Sequence, residues 1–206
     1  MILSLATWNI HKGFSQFNRR LVVHDLRERL STLGADIVLL QEVQGLHLRH
    51  PKQHADWPEQ PQHHFLADEV WENHAYGPNV SYDHGHHGNA ILSRFCIASQ
   101  HNQDVTHFRF EGRGHLHCAI EVPGLALPVH CVSVHLSLFA GSRRKQLAAL
   151  VERIEAVVPA NAPLIIAGDF NDWKNHADAL LAQRLNLQEA FASNRGERPA
   201  RSFPAR

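Results

Sequence analysis

The chain has 206 residues, 44% of them hydrophobic and 19% charged, which allows a sizeable core in one domain or two small ones and argues against intrinsic disorder. Twenty Lys+Arg balance twenty Asp+Glu, so a broadly basic protein that coats nucleic acid by charge alone is excluded, while a local basic patch is not. The longest apolar runs, such as Pro163 to Ala167, reach about six residues against the ~20 of a membrane helix, and Met1-Ile2-Leu3-Ser4 lacks the features of a signal peptide.

In chain order, Ile2 to Trp8 alternates like a half-buried strand and stops at Asn9. Arg19 to Leu33 carries Val22, Leu26, Leu30 and Leu33 at helical spacing, with Gly34 as the stop. Ile37-Val38-Leu39-Leu40 reads as a short strand covered on both faces. Residues 44–74 are polar and rich in His, Pro and Gln, and read as a long surface segment with one short helix. Strands are expected at Asn89–Leu92, Cys96–Ser99, His115–Val122 and Pro128–Leu136. Arg143 to Val158 is an amphipathic helix with Leu147, Leu150, Val151, Ile154 and Val158 on one side. Pro163–Gly168 is a buried strand, His176–Leu185 is helical, and from Ser193 the composition turns polar and basic. The pattern predicts one α+β domain with a mainly antiparallel sheet system. Cys96, Cys118 and Cys131 form no CxxC and read as buried thiols in a reducing compartment, the cytoplasm.

Four apolar runs end in polar residues that a core would not choose: Asn9, Gln41-Glu42, His135, and Asp169 with Asn171 two positions on. Taken singly, each has an ordinary explanation as a turn former, a solvated strand end, a cap or a satisfied core histidine. Together, held at rigid strand ends, they suit a hard divalent cation and a phosphate group. Glu42 can be the main Mg²⁺ ligand, with Asn9 an oxygen neighbour. Asp169 can orient or deprotonate a water, Asn171 can donate to a non-bridging oxygen, and His135 can protonate a leaving oxygen or stabilise charge on the phosphoryl group.

Thr7-Trp8-Asn9-Ile10-His11, Gln41-Glu42-Val43, Gly88-Asn89-Ala90-Ile91-Leu92-Ser93, Ser133-Val134-His135-Leu136 and Gly168-Asp169-Phe170-Asn171 occur in this order. The chain, from Met1 to about Pro204, resembles the endonuclease/exonuclease/phosphatase superfamily with its DNase I-like fold. That resemblance implies a four-layer αββα sandwich: two mainly antiparallel sheets flanked by helices. It implies metal-site residues at Asn9 and Glu42, catalytic residues at His135, Asp169 and Asn171, and Mg²⁺ as cofactor with Mn²⁺ as an alternative. It also implies substrate contacts by Arg113, before the strand at His115, and by His87 and Asn89, at a loop facing the substrate. His11 stands where some nucleases of the superfamily have an aspartate, which makes the metal shell less negative. The superfamily normally continues with an aspartate-bearing strand and a Ser-Asp-His strand. Here only His176 follows Asn171, and Ser202-Phe203-Pro204-Ala205-Arg206 would lead into those strands. By this resemblance the domain is C-terminally shortened by about two strands, with low turnover and self-association through unpaired sheet edges as the expected consequences.

The histidines at 47, 50, 54, 63, 64, 84, 86 and 87 show no HExxH and no Cys/His finger spacing, so they read as a neutral, solvated surface. Arg143-Arg144-Lys145 reads as a solvated face or a phosphate-backbone contact. The leading function is a Mg²⁺-dependent phosphodiesterase of nuclease type, with nucleic acid as one candidate partner. Hydrolysis of a small or lipid-linked phosphoester, favoured mildly by the zero net charge, and a non-catalytic scaffold are the alternatives.

Overall fold

Ile37-Val38-Leu39-Leu40 is apolar at every position because both faces of its strand are covered. Strand β2 (Ile37–His47) contributes Ile37 and Leu39 to one hydrophobic cluster and Val38 and Leu40 to another on its opposite side. The strand lies in a computed structural model that describes residues 2–190 apart from 16, 18, 109 and 173–175. The basic stretch from Ser193 and the Ser202-to-Arg206 end, on which the reading of a shortened domain rests, lie outside the described residues.

Around β2 the chain builds two sheets. The first has β1 (Leu5–Asn9), β2, β4 (Gly85–Ser93) and β3 (Asn73–Tyr82), in the order β1-β2-β4-β3. The second has β5 (Cys96–Asp104), β6 (Gly114–Glu121), β7 (Val129–His135) and β8 (Leu164–Asp169), in sequence order. Pairing is antiparallel except for β1 with β2 and β7 with β8.

Helices α1 (Val23–Leu33), α2 (His50–Gln53) and α3 (Gln62–Ala67) belong to the first half, and α4 (Ala140–Val157) and α5 (His176–Leu185) to the second. Three clusters fill the layers. Val23, Leu26, Leu30 and Leu66 pack with Val38, Leu40, Ala90 and Leu92 outside the first sheet. Ile37, Leu39 and Ile91 meet Leu116, Cys118, Ile120 and Cys131 between the sheets. Val132 and Val134 pack with Leu147, Leu150, Val151, Ile154 and Leu181 outside the second. This is the four-layer α+β sandwich of DNase I type.

Several local expectations need correction. Helix α1 starts at Val23, and Leu33 is exposed; Gly34 does end the helix, in the left-handed conformation that glycine tolerates best. Residues 44–74 are a surface segment only in part: Leu48 to Pro61 is largely exposed, but β2 continues to His47, two short helices follow, and Gln44, Gln62, Leu66 and Trp71 are buried. Trp71 is tied down by its Nε1–H, which donates to the Ala35 carbonyl at 2.9 Å. Strand β3 was not anticipated, because Gly77 and Pro78 interrupt its alternation. Cys118 and Cys131 are buried, with burial pushing each thiol up to about 12, but Cys96 is exposed. Among the described residues, no helix is long and apolar enough to cross a membrane.

Two features of this packing lead to measurable consequences. Gly168, just before the end of β8, has φ +146, and a Cβ there would collide with the Val134 carbonyl of β7. Gly168→Ala is expected to cost about 1–3 kcal/mol of stability, read from urea unfolding. His115 and His117 in β6 are buried, and burial pushes both down to about 4. Between the ordinary imidazole value of 6.5 and about 4, the unfolded chain therefore binds more protons than the folded one, so stability falls as pH drops through this window. The urea midpoint, followed by tryptophan fluorescence, should decline steadily across it; a flat midpoint would contradict neutral buried imidazoles.

Candidate active site

The carboxyl ends of β1, β7 and β8 lie together, because β1 runs parallel to β2, β8 parallel to β7, and β1 contacts β8 across the two sheets. Asn9 stands at the end of β1, and His135 and Asp169 are register partners at the ends of β7 and β8. The Asn9 amide bridges the sheets: its Nδ2 donates to Glu42 Oε1 at 3.1 Å and to Asp169 Oδ2 at 3.2 Å. His135 Nε2 lies 3.8 Å from Asp169 Oδ2.

Glu42 is not at a strand end, as the sequence suggested, but at an irregularity within β2. The pairing with β4 shifts register between Leu40 and Val43, and Glu42 has φ +53. Such a bulge re-aims one side chain without ending the strand. His11, Lys12 and Asn171 also have positive φ, so strained backbone concentrates around this spot, as it often does at functional sites.

The charges are closely balanced. Burial opposes ionisation of Glu42, but Lys12, whose Nζ donates to Oε2 at 2.8 Å, outweighs it with help from His135 and Asn9, and the carboxyl falls to about 2. His135 is pushed down to about 4, first by burial and then by Arg113, against the pull of Asp169, Glu42 and Glu111. Burial, then Lys12, takes His87 to about 4. At neutral pH the site therefore holds an ionised Glu42 and two neutral imidazoles. Arg113 is lowered by burial yet remains a cation; Glu111 accepts from its Nη2 at 2.8 Å.

The remaining expected residues occupy different surroundings. Asn171 Nδ2 donates to the Leu136 carbonyl at 2.9 Å, and its backbone N–H to Asp169 Oδ1 at 3.1 Å. His87 and Asn89 lie within β4, not on a loop. Asn89 is wholly buried, and its Nδ2 donates to the carbonyls of Gly114 and Ser133 in the second sheet. Arg143 donates to the carbonyls of Ser137 and Leu138 at 2.8 and 3.1 Å, so this member of the basic triplet is engaged within the fold.

Three further residues support the site; the sequence marks Gln41 as ending the Ile37–Leu40 run but assigns no role to it, to Lys12 or to Glu111. Lys12 neutralises Glu42. Glu111 anchors Arg113 and accepts from Ser137 Oγ and the Leu138 N–H. Gln41 donates to Ser133 Oγ across the sheets at 3.1 Å. Lys12 was open to detection as the only lysine within three positions of Asn9; Glu111 lies in an irregular segment with no pattern around it.

Glu42 and Asp169 are oxygen donors from two rigid strands, and Glu42 stays ionised far below neutral pH. This donor set fits a hard divalent cation, which favours one or two carboxylates. Asn9 turns its NH₂ toward them, while its oxygen accepts from the His11 N–H at 3.1 Å. An ionised acceptor, a cation and a neutral imidazole at one spot can position a water and stabilise negative charge on a bound oxyanion.

Comparison with known proteins bears on the fold and the family. The chain is 45% identical over 200 residues to the uncharacterized protein YbhP of Escherichia coli K12, covering 97% of this chain and 78% of that protein. The human Nocturnin catalytic domain with bound sulfate superposes with a TM-score of 0.70 at 19% identity, over 92% of this chain and 72% of that one. An endonuclease/exonuclease/phosphatase structure from Beutenbergia cavernae gives a TM-score of 0.66 at 21% identity, over 84% of this chain. This chain spans only 48% of that longer one. The model of the Endonuclease/Exonuclease/phosphatase family matches residues 6–206, and the chain belongs to that family of phosphoester hydrolases.

Proposed function

We propose that the chain hydrolyses phosphodiester bonds in the manner of a nuclease, with Mg²⁺ as cofactor and Mn²⁺ as an alternative. One observation carries this reading: a single amide, that of Asn9, lies 3.1 Å from Glu42 Oε1 and 3.2 Å from Asp169 Oδ2, so carboxylates of both sheets share one spot beside His135. Glu42, with Asn9 and Asp169 adjacent, would hold the cation, which supplies charge neutralisation at a phosphate oxygen.

Asp169 orients a water toward phosphorus and accepts its proton. His135 donates an N–H to the charge that builds on the phosphoryl oxygens. Asn171 adds a second donor once its side chain turns from the Leu136 carbonyl. Arg113, held by Glu111, and His87 contact the phosphate. Asn89 supports them by joining β4 to the second sheet rather than by touching solvent.

A second reading, hydrolysis of a small or lipid-linked phosphoester, is favoured by one feature. Phe108, Phe110, Leu138 and Phe139 are exposed together beside Glu111, with ring centroids 5.4 and 5.7 Å apart. An apolar rim next to the phosphate would suit an apolar leaving group.

The test is turnover of bis(p-nitrophenyl) phosphate with Mg²⁺, set against p-nitrophenyl phosphate and vesicle-bound lipid phosphate. Asp169→Asn should lower kcat by about 10²–10⁴, and His135→Asn by about 10²–10³, with KM little changed. Full activity in Asp169→Asn would remove Asp169 as the base, absence of turnover of every phosphoester in the parent chain would remove the hydrolytic reading, and a preference for the monoester or lipid would select the second.

A further inference from the structure

The protein has eighteen histidines, and the site above uses only two of them. Among the described residues, one trio converges: the ligand atoms of His63, His64 and His74 all lie within 4.8 Å of one another. His63 and His64 are consecutive in α3, and His74 is in β3, which packs against that helix. We propose that these three histidines form a zinc site on the outer side of the first sheet, apart from the phosphate site.

The geometry fits a metal ion. Zn²⁺ holds imidazole nitrogens at about 2.0–2.1 Å in tetrahedral array, which separates neighbouring ligand nitrogens by about 3.3–3.4 Å. His64 Nε2 and His74 Nε2 stand 3.3 Å apart. Without metal, one of these rings donates to the other; with metal, both nitrogens face the ion. The third ligand is held more rigidly. The His63 ring is buried and stacks on Tyr76, with centroids 4.5 Å apart and an interplanar angle of 7°. Its buried Nδ1 has no hydrogen-bond partner, so one nitrogen of this ring is uncommitted. His64 is exposed and His74 half-buried, so these two rings can turn to close the widest gap.

The chemistry narrows the ion to a class, of which zinc serves as the probe. Three imidazoles with no carboxylate suit Zn²⁺, Cu²⁺ or Ni²⁺ and not the hard Mg²⁺. The fourth position is left for water, so the site is expected to exchange its metal more readily than a closed four-ligand one. Bound zinc would clip α3 to β3. Because Gln62 of α3 donates to the Lys12 carbonyl at 2.7 Å, the clip would also steady the turn that carries Lys12. The other histidine group offers a less suitable set. His47 and His50 stack 3.4 Å apart, and His47 Nδ1 already accepts from the N–H groups of Arg49 and His50.

The experiment is titration of the metal-stripped chain with Zn²⁺ against a chromogenic chelator, without phosphoester. The parent chain is expected to bind one Zn²⁺ that a His64→Asn/His74→Asn variant binds at least tenfold more weakly, with no change in His50→Asn/His54→Asn. Co²⁺ used in place of zinc should give the intense visible bands of tetrahedral coordination in the parent chain and not in the first variant. Because His64 and His74 are the more exposed members, that variant should keep its fold, checked by circular dichroism. Equal affinity in the parent and the first variant, or loss only in the second, would overturn the site. Neither result bears on the phosphodiesterase reading.

Discussion

The face-to-face contact of β2 with β6 and β7 is the constraint on which the rest depends. Its apolar part, Ile37 and Leu39 against Leu116, Cys118 and Cys131, supplies non-directional attraction. Its polar part sets the alignment. Gln41 donates to Ser133 Oγ, Ser133 donates to the Leu40 carbonyl, and Asn89 donates to the Ser133 carbonyl. Each of these side chains is almost wholly buried, so a slip of one residue would leave several polar groups without partners. The functional groups sit beside these bonds in sequence: Gln41 precedes Glu42, and Ser133 is two residues before His135.

That alignment brings like charges together, and the local chemistry answers it. Two carboxylates from different sheets approach one amide, and Lys12 and Arg113 supply the compensating positive charge. The backbone bears part of the cost, in the positive φ of His11, Lys12, Glu42 and Asn171. A fold that tolerates strain at four neighbouring residues must over-determine them by packing, and the buried Gln62 does some of this by bonding the Lys12 carbonyl and the Gln44 N–H.

The histidines have divergent fates that composition hides. His135 and His87 line the charged site, and His115 and His117 lie in the interior of the second sheet. His63 packs against Tyr76 and, with its helix neighbour His64, meets His74 from β3. One side-chain type thus serves as donor, as core packing and as candidate metal ligand, according to which neighbours remove water from it.

The linear pattern was enough for the mixed α and β class and for most of the residues that the fold brings together around Asn9. The continuous apolar run at Ile37–Leu40 meant a strand covered twice, and polar residues ending apolar runs marked Asn9, His135 and Asp169 as candidates for chemistry. It could not reveal that Glu42 sits on a bulge within a longer strand, because bulges depend on the partner strand's register. Nor could it show Asn89 as a stitch between sheets, Glu111 as the anchor of Arg113, or His63 and His64 facing His74. Local periodicity records which face of an element is buried; which distant groups meet on that face is decided by packing between elements, and only the folded chain contains that information.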